Sequence, residues 1–190
     1  MTVDPASVFA AAVQAGDWAA ADRALDALLY TDPDNPVLHY NRGLVCRRMG
    51  RLAEAVAAHD AVLARAPDHA NAAFERASCL LDLGRLEDAA AGFGDYLKQV
   101  PEDPDARLNR ARIALRLGRP DDALRDLNGL DDSGPAIRLA RAESLRDLRR
   151  LDEAETLLAP SPGDDPGFRA AALKLRTQGP AGRLRLDEET

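Results

Sequence analysis

Aromatic residues make up only 4% of this 190-residue chain, and no segment alternates apolar and polar residues at period two. Together these scarcities exclude a sheet, because strands draw on aromatic and β-branched side chains. The 46% hydrophobic share is mostly Ala and Leu, strong helix formers that suit closely packed helices. Lysine is almost missing, with Lys98 and Lys174 alone against many arginines, a bias that suggests a GC-rich bacterial gene. A net charge of −7 leaves no basic surface of the kind a general nucleic-acid binder needs. No apolar run approaches the roughly 20 residues needed to cross a bilayer. The opening MTVDPASVFAAAVQAG lacks the basic stretch of a signal peptide. The two cysteines, Cys46 and Cys79, are 33 residues apart and fit free thiols of a reducing cytoplasm, so a cytoplasmic protein is expected.

What is present is a period. Pro33, Pro67, Pro101 and Pro135 are spaced by 34 residues, and Gly16, Gly50, Gly84 and Gly118 keep the same interval. Two helix-ending residue types, half a period out of phase, mark tandem helix–turn–helix units. In the clearest unit a first helix, Val37 to Met49, ends at Gly50, which can close it in the left-handed conformation. A second, Leu52 to Arg65, stops before Pro67. The next unit predicts helices over Ala70 to Leu83 and Leu86 to Gln99, and the fourth over Asp105 to Leu117 and Pro120 to Leu127. Pro5 to Ala15 and Asp17 to Thr31 form a more divergent opening unit. A fifth unit begins near Pro135, with Arg149 in place of the turn glycine and Leu151 to Leu158 as its second helix. Ala111 and Ala142 are only 31 residues apart, so the fourth unit's second helix is shortened, as Asn128-Gly129 and Asp131-Asp132-Ser133-Gly134 indicate. The predicted organisation is a repeat array over 2–165 (units 2–35, 36–69, 70–103, 104–134 and 135–165), a capping helix over 166–177 and a polar, mobile tail over 178–190.

Gly43, Ala77, Ala111 and Ala142 share one column of the first helices; Ala21, Ala55, Ala89, Ala123 and Ala154 share one of the second. Small residues there let two helix backbones approach closely. Trp18, Leu52, Leu86 and Leu151 form an apolar column after the turn, expected to be buried. With the turn glycines and terminal prolines, these columns resemble the tetratricopeptide repeat family, most closely in NRGLVCRRMGRLAEAVAAHDAVLARAP and ERASCLLDLGRLEDAAAGFGDYLKQVP. The resemblance covers about residues 2–158. It implies an all-α solenoid, about five antiparallel hairpins in a right-handed superhelix, whose first helices line a concave face where peptides or partner helices dock.

Carried onto this chain, the resemblance places Tyr40, Asn41, Leu44, Arg47 and Arg48 on that face, then Asn71, Phe74, Ser78 and Asp82. Leu108, Asn109, Arg112 and Arg116 follow from the fourth unit, and Leu139, Glu143 and Arg146 from the fifth. Tyr40, Phe74, Leu108 and Leu139 share a column that forms either an apolar stripe or packing between helices. Asn41 and Asn109 suit a peptide backbone, and the arginines suit carboxylates. The family's clamp for acidic C-terminal tails is incomplete, because Ala6 and Ala10 stand where basic and amide groups are wanted. A further column, Arg42, Arg76, Arg110 and Arg141, is expected to pack along the hairpins and pair with acids of adjacent helices rather than with a ligand.

Signals for chemistry fail. His39, His59 and His69 lack metal-pair spacing, and His59 occupies the column of Phe93, which points to packing. Gly92-Phe93-Gly94 follows no strand, so it is no phosphate loop. Glu87-Asp88, Asp121-Asp122 and Asp152-Glu153 open second helices, where the helix dipole favours negative charge. The expected function is a non-catalytic adaptor without cofactor or metal, monomeric or weakly self-associating, that binds a protein or peptide and neither nucleic acid nor membrane. The alternative is the substrate-docking or regulatory part of an enzyme such as a transferase.

Overall fold

The computed structural model describes residues 4–161 and 163–178; the start of the array at 2–3 and all but the first residue of the tail expected over 178–190 lie outside them. Eleven α-helices and no strand occur among the described residues. They fall into two compact units, residues 1–102 and 103–190.

The first unit holds three hairpins: α1 (Pro5–Ala15) with α2 (Trp18–Thr31), α3 (Pro36–Arg48) with α4 (Leu52–Arg65), and α5 (Ala70–Asp82) with α6 (Leu86–Gln99). Each first helix opens on a side chain that accepts a backbone N–H: Asp4 for α1, Asn35 for α3 and the His69 ring for α5. Such caps stabilise a helix by about 0.5–2 kcal/mol. Gly16, Gly50 and Gly84 have φ of 69, 74 and 75°, and each turn closes with the same two backbone bonds. In the second hairpin these run from Gly50 N–H to the Arg47 carbonyl (3.0 Å) and from Arg51 N–H to the Cys46 carbonyl (2.8 Å). Ala21, Ala55, Ala77 and Ala89 are fully buried where helices cross. The crossings differ in how they fit. In the second hairpin Gly43 faces His59, and a Cβ on Gly43 would lie 2.4 Å from the imidazole. In the third the glycine is on the other helix: a Cβ on Gly92 would lie 3.0 Å from that of Ala77. Cys46 and Cys79 are buried, and burial pushes both thiols up, Cys79 to about 11, so neither is a ready nucleophile.

The second unit holds α7 (Pro104–Arg116) with α8 (Pro120–Leu127), α9 (Pro135–Asp147) with α10 (Leu151–Leu158), and α11 (Pro166–Thr177). The shortened hairpin predicted near 120 is present: α8 and α10 have 8 residues each, whereas α2, α4 and α6 have 14. The shortening changes what Pro135 does. It keeps the 34-residue interval, yet α8 has already ended at Leu127 and Pro135 opens α9, where a missing amide donor costs nothing. Arg149 takes the glycine's place in both bonds and backbone, with φ of 62°. Phe168, Ala172 and Leu175 of α11 pack on Leu139, Ala142, Leu157 and Leu158, and Phe168 also stacks under Arg138, whose guanidinium carbon is 3.7 Å from the ring centre. Because α11 reaches only the end of α10, Leu151 is 56% exposed, against the expectation that its column is buried throughout. Trp18, Leu52 and Leu86 are half-buried.

The arginine column is internal in both units. Arg42 pairs with Asp26 (2.6 Å) and Asp22 (3.2 Å), and Arg76 with Asp60. Sixteen positions before Arg110 stands Gly94, with no carboxylate, and Arg110 instead binds Asp126, sixteen positions after it. Arg141 donates to the Leu127 and Leu130 carbonyls at 2.7 and 3.0 Å and pairs with Asp132. These guanidinium groups join helices and are not offered to a ligand.

Candidate interaction groove

The first helices of the first unit, α1, α3 and α5, enclose a groove of about 740 Å³. Their amphipathic patterns turn small residues into the crossings and leave a second, mixed face open. Phe9 and Val13 of α1, Trp18 at the start of α2, and Leu44 and Val45 of α3 give one apolar wall. Asn41, Arg47 and Arg48 of α3, with Glu75 and Asp82 of α5, supply the polar groups.

The polar groups are unequally committed. Arg47 donates to Glu75 Oε2 at 2.8 Å and through two nitrogens to Asp82 Oδ2 at 3.0 and 3.1 Å, bridging α3 to α5. Arg48 is exposed, lies 5.7 Å from the Trp18 ring centre, and has no carboxylate partner among the described residues. Asn41 likewise makes no hydrogen bond to a described residue. One uncommitted cation and one uncommitted amide therefore face an apolar wall.

Four sequence-expected residues meet here, Asn41, Leu44, Arg47 and Arg48, and Asp82 joins them through Arg47. Others do not. The Tyr40 ring packs between His59 (5.7 Å) and His69 (5.2 Å), and Phe74 between Phe93 (5.5 Å) and Tyr96 (5.3 Å). Of the two readings open for that column, packing between helices is the one the rings adopt in this unit. Ser78 is buried in the core, and Asn71 is exposed without lining the groove.

In the second unit Leu108 is buried in the core around Ala111 and Leu127, and Leu139 packs toward α11. Asn109 is half-buried, while Arg112 and Arg116 are exposed and unpaired among the described residues. Burial pushes the Glu143 carboxyl above its ordinary range, and Arg146 is held by Asp147 at 2.7 Å.

Sequence reasoning missed Phe9, Val13, Trp18, Val45 and Glu75. Two of these carried a signal. Phe9 fills the position that Gly43 and Ala77 hold in later units, so α1 turns a large ring where its counterparts have none. Glu75 stands in the column of Asn41 and Asn109. Val45, at 3% exposure, contributes mainly to the core.

The groups here suit non-covalent recognition. Among the described residues no cluster of three or more His, Cys, Asp or Glu side chains is placed to hold a metal, and no helix is long and apolar enough to cross a membrane. The profile of the tetratricopeptide repeat matches residues 10–60, 47–104, 80–136 and 108–167. The chain belongs to the tetratricopeptide repeat family. Solved structures of the same fold include a tetratricopeptide repeat protein from Parabacteroides merdae, 24% identical, with a TM-score of 0.75 over 81% of this chain. The present chain spans 62% of that protein's length. Two MamA structures, each 15% identical, have TM-scores of 0.76 and 0.74 and cover 90% and 93% of the chain and 90% and 95% of their own. At these identities the likeness is one of fold. No curated protein matches the chain.

Proposed function

We propose that the protein is a non-catalytic interaction module that receives a partner peptide or helix in the groove of its first unit, lined by α1, α3 and α5. The observation that carries this reading is the juxtaposition of an apolar wall, Phe9, Trp18 and Leu44, with the Asn41 amide and the Arg48 guanidinium, neither of which has a hydrogen-bond or carboxylate partner among the described residues. Apolar area supplies affinity, and a few polar groups fix orientation. In the second unit, taken by itself, Asn109 is half-buried and Arg112 and Arg116 are exposed, groups of the same amide and cationic kind. The docked segment displaces water from the apolar wall while the amide pairs with its backbone.

The test is quantitative affinity purification from the native host with wild type and an Asn41→Ala, Leu44→Asp double variant, both checked for helical content by circular dichroism. Leu44 is only half-buried, so a charge there spoils the wall without opening the core. Loss of the recovered partners with the variant is expected. Equal recovery by both folded proteins would remove the groove from consideration.

A further inference from the structure

We propose that the exposed arginine pair of α7, Arg112 and Arg116, is a docking surface for this chain's own residues 183–189, RLRLDEE, folded back over the second unit. The surface lies wholly within that unit, so it stands or falls independently of the groove between α1, α3 and α5. Arg112 and Arg116 are four residues apart on one face of α7, and neither has an acid partner among the described residues. Like charges at that spacing repel each other. The acids at the same register of α9 are Glu143 and Asp147, which follow the two arginines at the 31-residue interval that separates Ala111 from Ala142. Both are engaged by Arg146 of α9, Asp147 at 2.7 Å and Glu143 at 3.5 Å. Three cations thus face two acids, and the excess sits on α7.

The path of the chain and the order of its charges select the occupant. Gln178 closes α11 with extended backbone, φ −114° and ψ 135°, and its carbonyl accepts a hydrogen bond from Arg146 Nη1 at 3.3 Å. The guanidinium that holds Glu143 and Asp147 therefore also holds the start of the tail against α9. Beyond it the charges come in two blocks, Arg183 and Arg185 first, then Asp187, Glu188 and Glu189. The helices offer the complementary order, with the acids of α9 beside the anchor and the arginines of α7 next. These two helices share one core, where Leu108, Ala111 and Leu115 meet Ala136, Ile137 and Ala140. Packed helices have axes about 10 Å apart, and the stretch from Gln178 to Asp187 reaches up to roughly 30 Å, so the span is easily covered. Tethering makes the contact intramolecular, with an effective concentration on the order of millimolar, an advantage that a free acidic peptide lacks.

The test places a nitroxide on Thr190→Cys of the full chain and reads the broadening of amide signals along α7 in isotope-labelled protein. Cys46 and Cys79 are buried, so the label goes to the introduced thiol. At low ionic strength the amides from Asn109 to Arg116 should broaden. In the Arg112→Glu, Arg116→Glu double variant the paramagnetic contribution there should fall about fivefold, because two exposed ion pairs become two repulsions. Adding Asp187→Lys, Glu188→Lys and Glu189→Lys to that variant should restore it. Circular dichroism checks that each protein is folded. Absence of broadening in the wild type, or equal broadening with and without the α7 charges, overturns the docking surface. A loss that the three lysines fail to restore overturns the assignment to residues 187–189. Broadening of an isotope-labelled chain by a separate spin-labelled chain overturns the same-chain assignment and makes the occupant a second copy.

Discussion

Exchanging His59 for phenylalanine, the residue its column carries at Phe93, should flatten the protein's stability profile below neutral pH. The imidazole is fully buried, and neither ring nitrogen has a hydrogen-bond partner among the described residues. Burial foremost, then the Arg47 charge, pushes its pKa from 6.5 down to about 4, with Asp60 opposing and His69 adding slightly to the depression. Tyr40 packs on it edge to face, and Gly43 faces it from α3. A histidine whose pKa is lower in the fold than in the unfolded chain is penalised as pH falls. Between pH 6.5 and about 4 the unfolded chain binds a proton that the folded protein refuses, so stability is full above this window and falls across it. At about 1.36 kcal/mol per pH unit, the loss at pH 5 is about 2 kcal/mol. The carboxylates held low by arginines, Glu54, Glu153 and Glu155, are common to both proteins and cancel in the comparison. Urea unfolding followed by circular dichroism at pH 7.5 and 5.0 gives the test. With a slope of about 2 kcal/mol/M, the wild-type midpoint should fall by about 1 M more than that of His59→Phe. The variant should be at least as stable at pH 7.5, because it removes two unsatisfied buried polar atoms. Parallel losses in the two proteins would refute the argument that a buried neutral imidazole sets this slope.

Two further stability outcomes follow from the hairpins. Gly43→Ala should destabilise by about 1–3 kcal/mol through overpacking, read as a lowered urea midpoint, since its methyl lands on the fully buried His59 ring. Arg149→Gly should stabilise by about 1 kcal/mol, read as a raised melting temperature, because a left-handed φ of 62° is strained for arginine and free for glycine.

The fold was legible because it rests on residues with one dominant physical role. A glycine with positive φ, a proline that stops a helix and an alanine at a crossing can each be read without knowing their neighbours, and the columns at Gly16 and Ala21 are where the period placed them. The internal destiny of the arginine column was also legible, since Asp26 and Asp60 recur with the same period as Arg42 and Arg76. The groove was half legible. Asn41 and Leu44 followed from their helix face, but Tyr40 and Phe74 have side chains long enough to turn into the hairpin, and their rings found aromatic neighbours there. Trp18 was missed because it was read through its repeat column as core, and Phe9 because the column of Gly43 and Ala77 was not carried back into α1. In the first hairpin the same columns border the groove instead. Pro135 kept the period while changing its task, a difference set by the length of α8.

The alternation of glycines between the second and third crossings has a consequence for how such a chain can change. Gly43 is the hole for His59, while Gly92 is the hole for Ala77, so each hairpin carries its own matched pair on opposite helices. A whole hairpin can be duplicated or exchanged with its fit intact, but a single helix cannot. Moving α5 into the place of α3 would bring the Ala77 methyl against the His59 ring. Drift from one solution to the other has a required order, in which the ring is lost before the methyl is gained. The heritable unit of this array is thus the pair of helices, and substitutions at Gly43 and His59 are permitted only in sequence.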